Sequence, residues 1–144
     1  MCCTPGERSY VAQVAEVTVS RDGELKVNRV TVVSDIGGQI VNLSGVENQV
    51  QGSVIDALGT LLHARLDIED GRIVQINFGE YPLIRLAELP TRIEVHFLKT
   101  DFPVTGLGEP AFPPLAPVVC NAIFVATRHR VRKMPLSGTD LHWG

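Results

Sequence analysis

An Asp-Gly turn set between two β-rich runs fixes the first unit of this fold. Tyr10 to Ser20 reads Y-V-A-Q-V-A-E-V-T-V-S, and Arg21-Asp22-Gly23-Glu24 follows it. Asp-Gly flanked by strand-forming residues is a strong short-range hairpin signal. On the first run Tyr10, Ala12, Val14 and Glu16 share one face, and Val11, Gln13, Ala15, Val17 and Val19 share the other. The return run, Leu25 to Val33, alternates with an irregularity expected at Asn28-Arg29, and Asp35-Ile36-Gly37-Gly38 ends it. A hairpin this apolar needs a covering layer.

The next segment supplies one. Val46, Val50, Val54, Leu58, Leu61 and Leu62 recur at three- and four-residue steps. That spacing predicts a helix of about 18 residues with one apolar stripe. Ser44 with Glu47 fits a capping box at its start. Gly52 and Gly59 lower its intrinsic propensity and point to close packing. A second hairpin is expected for Ala64–Ile68 and Arg72–Ile76 around Asp70-Gly71. Tyr81–Ile84 reads as extended, Leu86–Leu89 as a short turn, and Thr91–Leu98 as a half-buried strand with His96 facing out. A Pro/Gly loop precedes a second helix, Leu115–Arg128, with Val118, Val119, Ala122, Ile123 and Ala126 on one side. No β-α-β regularity is apparent. The expected fold is α+β, antiparallel hairpins packed with two main helices.

Charge and composition remove several function classes. Thirteen basic and sixteen acidic residues give a net charge of −3, the wrong balance for a general nucleic-acid binder. The uncharged run 110–127 holds four prolines, so no transmembrane segment is expected there. Met1–Arg8 has no apolar core of the signal-peptide kind, and the expected location is cytoplasmic, or periplasmic if an exported partner carries the chain. Cys2, Cys3 and Cys120 make an odd count with no CxxC. Free thiols are the plain reading.

Three segments are candidates for chemistry. In Thr105-Gly106-Leu107-Gly108-Glu109-Pro110, two glycines permit close backbone approach to a ligand, and Glu109 stands before a proline on a stiffened backbone. A carboxylate so displayed can act as a general base. On spacing alone, an exposed acid on an ordinary Pro/Gly loop is the better explanation. The stretch Asn48–Ser53 places amides near a helix start, suited to a polar ligand or to a solvated face. Arg128–Lys133 is basic, which fits a phosphate contact or, more simply, cations near a helix C-terminus. The histidines at 63, 96, 129 and 142 have no metal-ligand spacing.

Taken together, Gly106-Leu107-Gly108-Glu109-Pro110, Pro113-Pro114-Leu115-Ala116-Pro117, Asn121 to Thr127, Arg130-Val131-Arg132 and Pro135-Leu136 resemble the C-terminal signature of molybdenum hydroxylase large subunits. This is the xanthine dehydrogenase/aldehyde oxidase family, in the branch of the isoquinoline 1-oxidoreductase β-subunit and the aldehyde dehydrogenase molybdenum-binding subunits. Tyr10–Val17, Asp35-Ile36-Gly37, Val41-Asn42 and Gln49-Val50-Gln51-Gly52 fit as well, and the similarity is collinear from about Ser9 to Leu136. Residues 1–8 and 137–144 then read as tails around a molybdopterin-binding-like domain, 9–136. The resemblance implies oxidation of an aldehyde or N-heterocycle with water-derived oxygen. It implies a molybdenum-bearing molybdopterin, usually the cytosine dinucleotide, when the site is assembled, and no cofactor if the chain stands alone. It makes Glu109 the catalytic base and places Gln49, Gly106 and Gly108 at the cofactor. No residue of the chain is expected to ligate the metal. The implied partners are the remaining part of the molybdenum subunit and an iron–sulfur subunit. This sequence departs from the family pattern at Leu43, Gln51, Ser53 and Arg128, the last standing where a glycine is expected near a helix end. The alternatives are a free-standing, non-catalytic fragment that self-associates as a homo-oligomer, and a generic ligand-binding module with a pocket away from Glu109 and Gln49.

Overall fold

The computed structural model describes residues 9–143. Cys2, Cys3 and the rest of the 1–8 segment lie outside the described residues, as does Gly144.

The first hairpin forms as the sequence dictates. β1 (Tyr10–Val19) pairs antiparallel with β2 (Leu25–Asp35). Gly23 takes φ +84 in the turn, a left-handed conformation that glycine adopts without strain. The irregularity lies where it was expected. Glu16 faces Arg29 and Val17 faces Val27, so Asn28 is the extra residue of a bulge. The cause is parity. Val30 and Val32 point inward from even positions, Val27 and Leu25 from odd ones, while β1 keeps odd positions inward throughout. Only one added residue lets both halves of β2 face the same core. The Asn28 amide then donates to Thr18 Oγ1 at 2.8 Å.

α1 (Leu43–His63) covers this sheet with Val50, Val54, Ala57, Leu58 and Leu61 buried. Its N-cap is Asn42, whose Oδ1 accepts from the Gly45 N–H at 2.9 Å. The Ser44 capping box is therefore corrected. Asn42 has the extended backbone of a cap, and Ser44 already lies inside the helix. Gly59 packs as its position suggested: a Cβ there would stand 3.3 Å from Ile84.

Two sequence expectations need revision. The second hairpin is only β3 (Ile68–Glu69) and β4 (Arg72–Ile73), joined by Asp70 and Gly71 at φ 48 and 77. The turn chemistry holds, but Ile68 and Ile73 are exposed. No layer buries the flanks, so the ladder stops after two pairs. The strand β5 (Arg92–Phe97) pairs with β2 in parallel, giving the order β1-β2-β5. The path β2–α1–β5 is thus a crossover unit, which the run of hairpins had concealed. Leu86–Glu88 forms the short turn expected there, one 3-10 turn, with the Glu88 carboxylate against His63 Nε2 at 2.7 Å.

α2 (Leu115–Thr127) packs along β1, burying Leu115, Val119 and Ile123. Ala126, expected on the apolar side, is exposed. The buried stripe is a narrow i, i+4 row, and Ala126 has rotated past it. Arg130 stacks its guanidinium 3.7 Å from the Phe124 ring centroid, a cation–π contact that takes up part of the basic run. The chain then returns to the core. Leu136 N–H donates to Leu61 O, Leu141 is buried, and the Trp143 indole donates to Ser20 O at 3.0 Å.

Arg128 ends α2 in the left-handed region at φ 63. A side chain with a Cβ is strained there, and glycine is not. Arg128→Gly should stabilise the fold by about 1 kcal/mol, read as a raised midpoint in thermal or urea unfolding. An unchanged or lowered midpoint would mean that the Arg128 side chain outweighs its backbone strain.

Candidate functional site

The Gly-Leu-Gly-Glu-Pro loop is held by the end of β2. Asp35, nearly buried, accepts at Oδ1 from the Gly37 N–H (3.1 Å) and from Thr100 Oγ1 (2.7 Å). Gly37 sits at φ +100, where an added Cβ would lie 2.5 Å from the Pro103 carbonyl oxygen. Gly38 presses nearly as close to the Thr100 carbonyl and donates to Phe102 O at 2.9 Å. The Thr105 N–H donates to Ile36 O at 2.9 Å. These contacts fix the chain on entry to the loop.

Within the loop, two side chains act as anchors. Leu107 and Ala111 are buried in the core. From β1, Gln13 Nε2 donates to Ala111 O at 2.6 Å. The Phe112 N–H closes a turn on Glu109 O at 2.9 Å, and α2 begins directly afterwards. Gly108 and Glu109 lie between the anchors and remain exposed.

This arrangement opens a cleft of about 450 Å³ between α1 and the loop. Gly52, Ser53 and Asp56 line it from the helix; Gly108, Glu109, Phe112 and Pro113 line it from the loop. Gly52, Ser53 and Asp56 follow i, i+1, i+4, and Gln49 precedes them by one turn on the same face. Glu109 and Gly108 are therefore brought to one cleft. Gln49 and Gly106 are both exposed and lie outside its lining. Among the described residues no group of three or more His, Cys, Asp or Glu could hold a metal ion.

The two cleft glycines differ in kind from Gly37. A Cβ on Gly52 or Gly108 would meet nothing within 4 Å, and neither has a positive φ. The chain's own packing does not require them to be bare. Ser53 is 7% exposed, and its Oγ has no hydrogen-bond partner. Buried hydroxyls are normally satisfied. An uncrowded, glycine-floored cleft with an orphaned hydroxyl fits a rigid polar group supplied from outside the chain. The sequence pointed to Glu109 and Gly108. It did not single out Ser53, Asp56, Phe112 and Pro113 as partners of Glu109, because only the tertiary fold sets residues 52–56 against 108–113.

The domain is thus a helix-covered sheet presenting a clamped glycine loop beside a helix face. The sequence model of the molybdopterin cofactor-binding domain matches residues 5–90, and the chain belongs to that family. It is 37% identical over 131 residues to a nicotinate dehydrogenase subunit of Pseudomonas putida, covering 90% of this chain and 11% of that protein. It is 30% identical to the β-subunit of isoquinoline 1-oxidoreductase from Brevundimonas diminuta, covering 92% of this chain and 17% of that one. The crystal structure of the aldehyde oxidoreductase from Desulfovibrio desulfuricans superposes with a TM-score of 0.73 at 29% identity, over 88% of this chain and 14% of that one. The chain thus spans under a fifth of the lengths of these relatives. Among the described residues no helix is long and apolar enough to cross a membrane.

The two classes of glycine predict opposite stability effects. Gly37→Ala should cost about 3 kcal/mol or more, because backbone must move. Gly108→Ala should stay within about 0.5 kcal/mol, and Gly52→Ala should gain about 0.5–1 kcal/mol from helix propensity. Urea unfolding of the three variants checks this. A large loss in Gly52→Ala or Gly108→Ala would show that the fold itself needs those glycines.

Proposed function

We propose that this chain is the molybdopterin-cofactor-binding portion of a molybdenum hydroxylase that oxidises an aldehyde or an N-heterocycle with water-derived oxygen. The observation that carries the reading is the cleft: Glu109 beside two glycines, Gly52 and Gly108, that the chain's own packing leaves uncovered. The family membership supplies the cofactor class, and the cytosine dinucleotide is the form proposed here. When bound, the cofactor supplies a two-electron acceptor at the carbon being oxidised.

The chain's own residues do the rest. Glu109 takes a proton at its carboxylate as general base. The hydrogen bonds at Asp35 and Gln13 hold its loop on both sides, so the base needs little reorganisation at the moment of reaction. Gly108 and Gly106 keep the loop backbone open to the cofactor, and the Gln49 amide, one turn from Gly52, offers a donor and an acceptor to its polar edge. Ser53 Oγ, buried at the cleft, has no hydrogen-bond partner within the chain. Because the chain spans under a fifth of its relatives' lengths, the remaining walls of the site come from the rest of the molybdenum subunit, with an iron–sulfur subunit to carry electrons away. A cytoplasmic assembly is proposed, or a periplasmic one with an exported partner.

The competing reading is a non-catalytic fragment that keeps the fold, lacks cofactor and self-associates. Ile76, Phe78 and Leu86 are each at least 79% exposed; on this reading a second copy covers them, and on the first the rest of the subunit does.

Glu109→Gln separates the two. In the assembled enzyme it should leave molybdenum content unchanged and lower turnover by about 10²–10⁴-fold, the range for loss of a general base. Turnover within threefold of the parent would remove Glu109 from the chemistry.

A further inference from the structure

One edge of the main sheet has its backbone groups open. β5 stands last in the order β1-β2-β5. The Leu98 N–H donates to Ser34 O, so the even positions of β5 turn their backbone groups toward β2. By the alternation of a ladder, Ile93, Val95 and Phe97 turn both N–H and C=O to the outer side. None of those groups has a hydrogen-bond partner among the described residues. Their side chains are half-buried against the core. The strand lacks the usual guards of an edge. No proline and no bulge interrupts Arg92–Phe97, and Arg92, Glu94 and His96 alternate onto the face away from the core. A groove of about 570 Å³ runs beside Val95–Lys99 and is also lined by Gly38, Ile40 and Leu43. Leu43 and Leu98, 54% and 52% exposed, add apolar surface to it.

We propose that this edge is a homodimer interface, in which a second copy adds its own β5 antiparallel across a twofold axis at Val95. The two sheets then join into one. The strand is complementary to itself in that register. Val95 lies opposite the partner's Val95. Ile93 lies opposite the partner's Phe97, a β-branched residue against an aromatic, and Glu94 lies opposite the partner's His96, an acid against an imidazole. Cross-strand pairs of these kinds favour association. The positions with free backbone groups also face one another, so Ile93, Val95 and Phe97 exchange N–H···O=C bonds with their counterparts. The neighbouring symmetric registers are worse. An axis at Glu94 sets that carboxylate against its own copy. An axis at His96 sets Ile93 against Lys99 and His96 against itself. The interface uses the β5 edge and its groove and leaves the cleft at Glu109 untouched, so it does not rest on the cofactor reading.

The test uses the full chain with any subunits that co-purify with it. Sedimentation equilibrium gives the monomer–dimer constant, and amide hydrogen exchange at low and high protein concentration locates the contact. Exchange at Ile93, Val95 and Phe97 should slow about tenfold or more as concentration rises. His96→Glu sets like charges across the strands and should weaken the dimer about tenfold, whereas His96→Lys should tighten it about threefold. Added salt should shrink both effects. His96 is exposed, so neither change touches the core. A chain that stays monomeric at its highest soluble concentration would overturn the proposal. So would an oligomer whose edge amides exchange freely, a dimer indifferent to both His96 variants, or edge amides protected at every dilution by a different polypeptide.

Discussion

The Asp35 carboxylate accepts hydrogen bonds from the Gly37 N–H and the Thr100 hydroxyl, and the geometry of the site follows from that junction. Hydrogen bonds to a charged group are worth about 1.5–3 kcal/mol each. Here the Thr100 bond joins the end of β2 to the start of the 100–113 loop, and the Gly37 bond shapes the turn that follows the strand. Gly37 and Gly38 make the junction close enough to work, since any side chain would strike the Thr100, Phe102 or Pro103 carbonyls. Once the loop is fixed at its entry, the burial of Leu107 and Ala111 and the Gln13 hydrogen bond determine its course. Gly108 and Glu109 are then left facing α1 at one side of a defined cleft.

Glycine serves this chain in two distinct ways. Gly37, Gly38 and Gly59 are small because another part of the same chain lies against them. Gly52 and Gly108 are small although nothing in the chain lies near. The second kind carries functional information, because intramolecular packing does not account for it. On the proposed reading, these glycines and the buried, unpartnered Ser53 hydroxyl form one wall of a binding space whose other walls belong elsewhere. The coverage of under a fifth of the relatives' lengths agrees with that description.

Much of the fold was legible in the sequence, and the exceptions share a physical cause. The first hairpin could be read from Asp22-Gly23, and its bulge from the break in alternation at Asn28-Arg29, because both signals are local. α1 was visible in its stripe, although the cap lay two residues earlier, at Asn42, where an amide takes the place expected for a hydroxyl. The second hairpin kept its Asp70-Gly71 turn and lost most of its ladder. A turn is set by local dihedral preference, whereas strand length depends on having something to pack against. The parallel pairing of β5 with β2 was hidden because it joins segments 63 residues apart in register, such as Thr31 with Glu94. The site follows the same rule. Glu109 and Gly108 stood out in one short motif, and the strain at Arg128 was foreshadowed by the glycine missing from that position. That Ser53 and Asp56 face Glu109 follows only from the packing of α1 against the loop.

On the proposed reading, the uncovered cleft is one wall of a molybdopterin site completed by other protein. The most direct measurement is elemental molybdenum content, with native mass on the same sample, of this protein purified gently from its own host. Stoichiometric molybdenum in an assembly containing a further, larger polypeptide is the predicted result. A metal-free protein whose native mass is a simple multiple of 15.7 kDa would contradict it and leave a self-associating fold without its cofactor.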